Sequence, residues 1–428
     1  MRARFSFALL LVLLALPAHA QLRGHGGPVR ALAVAPDGAA AISGSFDSSA
    51  ILWSLTANAA QRVLRFHESA VNAAAFVQQG RAIATGGEDG KIAIWLPAQD
   101  KPSSILEGHT APIVALAVSP DGSTLASASW DRTIRLWQLG GSGPMRVLEG
   151  HNQNVNGVAF TPDGKSLVSA GYDLTVRIWP LEGGAETTVT LPSPLNAVAV
   201  ARDGEIVAGS ADGRVFFLAP NGDLRGELQA SETPIISIAV SPSGALVAAA
   251  GIRGSVAIVD RATRQVARTL VGPGLPVWSA AFLPDGATLL TGGTDRMVRR
   301  WNAVTGDHIG SVPVASADDP LAAYAGDRGA EIYRACIACH TLTPDDGNRA
   351  GPTLHGIFGR RIASLPGYNF SEPLKKMDIV WTPDTVAKLF EVGPMAYTPG
   401  TKMPEQTIGS AEDRQALVEF LKKATESR

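Results

Sequence analysis

Trp53, Trp95, Trp137 and Trp179 stand 42 residues apart, and His25, His67, His109 and His151 keep the same step. Asp47, Asp89, Asp131 and Asp173 repeat it again, each six residues before its Trp. Three weaker units follow, with Leu218, Val259 and Trp301 in the Trp position at steps of 39, 41 and 42 residues. Asp212 and Asp295 keep the Asp, and Arg253 replaces it in the sixth unit. Such a period constrains the fold more than any local propensity does. It marks one supersecondary unit that buries its faces only against copies of itself, and its length suits one four-stranded propeller blade. Seven units predict seven blades.

Within a unit the pattern is that of strands. Val29-Arg30-Ala31-Leu32-Ala33-Val34 runs into Pro36-Asp37-Gly38, a turn signal that recurs at Pro120, Pro162 and Pro284. Arg202-Asp203-Gly204 and Pro242-Ser243-Gly244 are variants of it. Short apolar strands at even spacing predict a closed all-β architecture. Residues 21–314 resemble WD-repeat propellers. In that family His, Ser/Thr, Asp and Trp of one blade form a buried hydrogen-bonded tetrad. The matching sets are His25, Ser43, Asp47, Trp53; His67, Thr85, Asp89, Trp95; His109, Ser127, Asp131, Trp137; and His151, Ser169, Asp173, Trp179. Each His keeps its own Asp and Trp at strict period, so the histidines read as structural and not as metal ligands. The fifth and sixth units lack the set; the seventh keeps Thr291, Asp295 and Trp301 without a His. Either Gln21-Leu22-Arg23 or His308 to Val314 can close the ring. The C-terminal segment is the expected choice, because three residues make a poor strand.

The chain has 428 residues, too many for one core, and two or three domains are expected. Charged residues make up 18% and hydrophobic residues 45%, the balance of a globular protein. A net charge of −2 argues against nucleic-acid binding. Arg2 and Arg4, an apolar run from Phe5 to Leu16 and the small-x-small site Ala18-His19-Ala20 make residues 1–20 a Sec-type signal peptide. No Cys follows the cleavage site, which argues against a lipid anchor, and no later stretch is apolar enough to span a bilayer. A secreted, periplasmic protein is expected.

Ala315 to Pro320 is small and polar and reads as a linker. Residues 321–428 change to a helical pattern around Cys336-Ile337-Ala338-Cys339-His340, the C-x-x-C-H signal for covalent attachment of c-type haem. Its two cysteines are the only ones in the chain. An exported protein that spends both there is using them for haem and not for a disulfide. Helices are expected from Gly326-Asp327 into Cys336, from Thr382-Pro383-Asp384 onward, and over Ala411 to Ala424.

This segment resembles class I cytochromes c over its whole length. The matching motifs are Gly329 with Tyr333, CIACH, Gly351-Pro352-Thr353-Leu354-His355-Gly356 with Gly359-Arg360, Gly367-Tyr368, Trp381, and Tyr397-Thr398-Pro399-Gly400-Thr401-Lys402-Met403. The fold class implied is multidomain: an all-β seven-bladed propeller plus a small all-α class I cytochrome c domain. The resemblance implies one covalently bound haem c, with thioethers to Cys336 and Cys339 and with His340 and Met403 as axial iron ligands. It also implies that the Pro352 carbonyl orients His340, and that Arg360 and Trp381 hydrogen-bond a haem propionate. Met377 and Met395 are rival ligands by residue type, but only Met403 has the Pro-Gly-Thr-Lys context. Met sulfur favours ferrous iron, so a raised potential is expected.

Some positions depart from the family. Phe390 and Phe370 stand where Tyr is frequent, and Leu374 stands for Asn. The lysine-rich docking face is thin, with Met395 and Ala396 in Lys positions and Lys402 retained. Residues 321–428 hold 13 basic and 13 acidic residues, and residues 21–320, the propeller with its linker, 22 and 26. Neither has the excess charge that steers long-range docking. The expected function is single-electron transfer to an unknown redox partner protein, with the propeller as docking platform and no catalytic residue of its own. The alternatives are a haem-relay subunit of a propeller-based oxidoreductase and a redox-sensing scaffold.

Overall fold

The computed structural model describes residues 22–97, 99, 101–141, 144–272, 274–309, 321–333, 336, 340–343, 351–366, 368, 370–399, 401, 403 and 407–425. The signal peptide, the expected linker and Cys339 lie outside them. No helix among the described residues is long and apolar enough to cross a membrane.

Seven antiparallel four-stranded sheets form the propeller, one for each unit of the sequence. Blade 1 is Val29–Val34, Ala40–Ser45, Ser49–Ser54 and Ala59–Arg65 in simple meander order. The first strand of blade 7, Val277–Phe282, packs beside Val29–Val34 and completes the ring. Small residues let one blade seat on the next. A Cβ on Gly44 would come within 2.7 Å of Val71, and one on Gly209 within 2.7 Å of Ile235. Gly292 does the same for Val29, which carries the register from blade 7 to blade 1.

The tetrads of blades 1 to 4 form as the repeat predicts. In blade 1, His25 Nδ1 is 3.0 Å from Asp47, His25 Nε2 is 2.7 Å from the Ser43 hydroxyl, and the Trp53 indole donates to the same oxygen at 2.7 Å. One proton arrangement satisfies all three contacts. Nδ1–H donates to the carboxylate, Nε2 accepts from the hydroxyl, and the hydroxyl oxygen accepts from the indole. Burial works against charge on Asp47, but hydrogen bonds from His25, Ser49 and the Gly26 amide outweigh it and hold its pKa down to about 2. Asp89, Asp131 and Asp173 are lowered against the same burial by their own His partners and neighbouring hydroxyl or amide donors. One member escaped the sequence reading. The hydroxyl two residues after the Asp, Ser49, Thr133 or Thr175, donates to it at 2.6 to 2.7 Å.

Where the tetrad is missing, other chemistry fills the slot. Leu218 and Val259 are fully buried within apolar clusters of blades 5 and 6. In blade 7 the Trp301 indole still donates to Thr291 at 2.9 Å, while Arg299 replaces the absent His and pairs with Asp295 at 2.6 Å.

Ring closure differs from the expectation. Leu22–Arg23 is the outer strand of blade 7, with Leu22 opposite Val298 and Arg23 opposite Met297. Of the expected C-terminal segment only His308 and Ile309 are among the described residues, and they sit on the same edge. His308 bridges Trp301, and the Ile309 amide donates to Arg300. Leu22 wins its place by burial: it is 1% exposed, packed with Ile51, Trp53 and Leu290. A short strand suffices when its one apolar side chain completes a core.

The C-terminal domain is helical: α1 (Arg328–Tyr333), α2 (Glu372–Lys375), α3 (Pro383–Val392), α4 (Pro394–Tyr397) and α5 (Ala411–Thr425). α3 starts where expected, with Thr382 and Thr385 forming a reciprocal capping box and Pro383 in the first turn. α1 crosses α5 at Gly329, where a Cβ would strike the Ala416 carbonyl and Phe420. Tyr333, Val386, Leu389, Phe390, Leu417 and Phe420 form the core between the helices.

Candidate functional site

α1 ends at Tyr333 and delivers the chain to Cys336, whose amide donates to the Tyr333 carbonyl at 2.7 Å. Cys336 is buried. The His340 amide donates to the Cys336 carbonyl at 2.9 Å, which holds these two residues together. Two contacts then fix His340. Its Nδ1 lies 2.8 Å from the Pro352 carbonyl oxygen, and its own carbonyl accepts the buried Tyr333 hydroxyl at 3.1 Å. With Nδ1 protonated for the first contact, Nε2 carries the lone pair a metal needs.

Gly351 leaves room for this ring. A Cβ there would fall on the imidazole Cε1 atom. The sequence reading took Gly351 as part of a motif; its reason is steric and visible only with the ring placed beside it.

His340 opens onto a cavity of about 710 Å³, within the size range of cofactor sites. Cys336, Pro352, Arg360, Trp381 and Met403 line the same cavity. Thus six of the seven residues singled out from the sequence converge, and Cys339 is outside the described residues. The rest of the wall includes Leu354, Ile357, Leu389, Phe390 and Leu421. A ligand with a broad apolar face and a central metal fits these walls, with a nitrogen and a thioether sulfur as donors. Met403 is held by its amide, which donates to the Thr401 hydroxyl at 3.1 Å.

Arg360 faces the cavity, and its guanidinium donates to the His355 and Thr353 carbonyls at 3.1 and 2.8 Å. Burial pulls its pKa below the usual arginine range. The Trp381 amide donates to the Arg360 carbonyl at 2.9 Å, which ties these two residues together. Tyr368 also lines the cavity, and its ring meets Phe370 edge-on at 4.7 Å.

A small helical domain built around such a cavity, joined to a seven-bladed propeller, defines a propeller–cytochrome fusion. The WD domain, G-beta repeat family matches residues 18–54, 59–95, 100–138, 142–180 and 264–302, each covering the outer strand of one blade and the three inner strands of the next, the latter in blades 1 to 4 and blade 7. The three inner strands of blades 5 and 6, where the tetrad is gone, fall outside these matches. The cytochrome c family matches residues 326–425. Those residues are 39% identical to cytochrome c of Gibberella zeae over 99 residues, which is 23% of this chain and 92% of that protein. Cytochrome c of Arabidopsis thaliana is also 39% identical over 99 residues, 23% of this chain and 88% of that protein. Cytochrome c of Kluyveromyces lactis is 33% identical over 98 residues, 23% of this chain and 88% of that protein. Through this domain the chain belongs to the cytochrome c family, and its cofactor is covalently bound haem c with its iron.

Proposed function

We propose that this protein is an exported c-type cytochrome that passes single electrons through one haem with His340 and Met403 as axial ligands. In this reading the propeller is the docking platform for a redox partner protein. One observation carries it: His340 and Met403, far apart in the chain, line one largely apolar cavity, with the Nδ1 of His340 already held by Pro352. Bound haem supplies a one-electron ferric/ferrous couple there. The residues of the chain do the rest. Cys336 and Cys339 anchor the group, Pro352 and Tyr333 keep the imidazole plane fixed, and the apolar wall excludes water. With His340 and Met403 both holding the iron, the site would have no open position for a substrate, and the chemistry supplied would be outer-sphere electron transfer. Arg360 and Trp381, which line the cavity, would be the propionate partners. Residues 1–20 as an export signal fit a periplasmic site of action, where haem c is attached in bacteria.

Met403→Ala tests the ligand assignment. The wild type should show a low-spin haem spectrum and refuse carbon monoxide, and the variant should bind carbon monoxide and lose potential. A variant with unchanged spectrum and potential would assign the sixth ligand elsewhere.

A further inference from the structure

The haem cavity is not lined by the cytochrome domain alone. Phe46 and Ser48 from one loop of blade 1, Val63 and Arg65 from its outer strand, Glu68 from the connection to blade 2, and Glu88 from blade 2 complete the wall. The loop residues lie at the end of the propeller where the tetrad aspartates Asp47 and Asp89 cap their turns. Across the cavity the cytochrome contributes Arg361, Leu365, Phe370 and Leu374. Leu374 belongs to α2, and exposed Lys375 and Lys376 follow it directly. Apolar Phe46 and Val63 share the wall with Leu365, Phe370 and Leu374, and acidic Glu68 and Glu88 share it with Arg361, which also pairs with Asp378 at 3.3 Å, and with the propeller's own Arg65.

We propose that the rim of blades 1 and 2 is the docking site for this chain's own cytochrome domain, so that the propeller covers the haem mouth. The inference rests on the electron-transfer reading and changes its geometry. A redox partner then meets the haem only at a composite surface or after displacing the rim. This also accounts for the thin lysine face of the cytochrome. Charge repelling or attracting a reagent at the haem edge is supplied in part by the propeller, through Glu68 and Glu88.

The test uses the haem-loaded full-length protein. Zero-length carbodiimide cross-linking at low salt should join Glu68 or Glu88 to Lys375 or Lys376 within one molecule. The yield should fall near 1 M salt, where the screening length is only about 3 Å. In parallel, the reduced protein is oxidised by ferricyanide, an anion. A Glu68→Lys/Glu88→Lys variant with unchanged circular dichroism should react at least about twofold faster at low ionic strength, because two negative charges at the haem mouth become positive. Equal rates, cross-links to other blades, or cross-links that grow with protein concentration would each overturn the docking. Reversible reduction and reoxidation of the same samples checks the electron-transfer reading separately, so the two can fail independently.

Discussion

The Nδ1 atom of His340 lies 2.8 Å from the carbonyl oxygen of Pro352, and Gly351 leaves the space in which that contact is made. The preceding glycine and the proline carbonyl act as one device. The first admits the imidazole, and the second sets its tautomer and raises its basicity toward a metal.

Gly351→Ala should therefore damage the site while sparing the fold. The added methyl collides with the imidazole ring, so haem incorporation should fall, and the fraction that loads should show an altered potential. Absorbance per mole of protein and potentiometric titration measure both. Wild-type loading with unchanged potential would mean that the ring has another way to seat.

Gly329 should matter to stability rather than to redox chemistry. A methyl there strikes the Ala416 carbonyl and Phe420, and neither is the loose end of a flexible side chain. Gly329→Ala should force α1 away from α5 and cost about 1–3 kcal/mol, the usual range for overpacking. Denaturant unfolding followed at the haem band reads this loss, while the propeller's transition by far-ultraviolet circular dichroism should stay in place.

Ser43 links Trp53 to His25, and all three side chains are buried. Ser43→Ala leaves the indole N–H and the imidazole Nε2 without their shared partner. The expected cost is about 1–3 kcal/mol in propeller stability. Ser210 is also buried in a second strand, but in blade 5, where no His or Trp shares its hydroxyl. Ser210 donates instead to Asp212 and the Arg214 carbonyl and accepts from the Arg214 amide, so Ser210→Ala should cost a comparable amount, and thermal melts of the two variants check both losses.

The propeller should be acid-labile in two stages. Burial lowers the pKa of His151 below its ordinary value of about 6.5, so the unfolded chain binds a proton that the folded one refuses. Stability from this group is present at neutral pH and is lost as pH falls below about 6.5. Asp47 is held at about 2 in the fold, against about 3.9 when unfolded. Its contribution is present above about 4 and disappears as pH drops toward 2. Melting temperature should decline from pH 6.5 downward and more steeply below 4. In Asp47→Asn the step below 4 should shrink relative to wild type, and a flat wild-type profile to pH 3 would contradict the assignment.

Much of this molecule is legible in its sequence, because its main determinants are periodic or covalent. Trp53, Trp95, Trp137 and Trp179 recur at one step because each indole reaches a hydroxyl ten residues earlier, Ser43, Thr85, Ser127 or Ser169, within its own sheet. That pattern announces the blades and their tetrads together. Cys336 with His340, in the C-x-x-C-H motif, announce the haem because covalent attachment demands fixed residue types at fixed spacing.

What the tertiary structure alone decided is how equivalent positions divide their labour. Arg177 and Arg299 occupy the same place, two residues before the tetrad tryptophan. Arg177 pairs with Glu186, while Arg299, in a blade without the His, turns to Asp295. Leu22 closes the ring against the expectation from strand length, because the slot it fills is built by Ile51, Trp53, Leu290 and Val298 from both ends of the chain. The presence of Phe46, Val63, Glu68 and Glu88 on the wall of the cavity that His340 lines is of the same kind. Periodicity and ligand chemistry act within a unit and can be read along the chain. Burial and charge pairing between distant segments depend on where the ring brings them, and only the folded molecule fixes that.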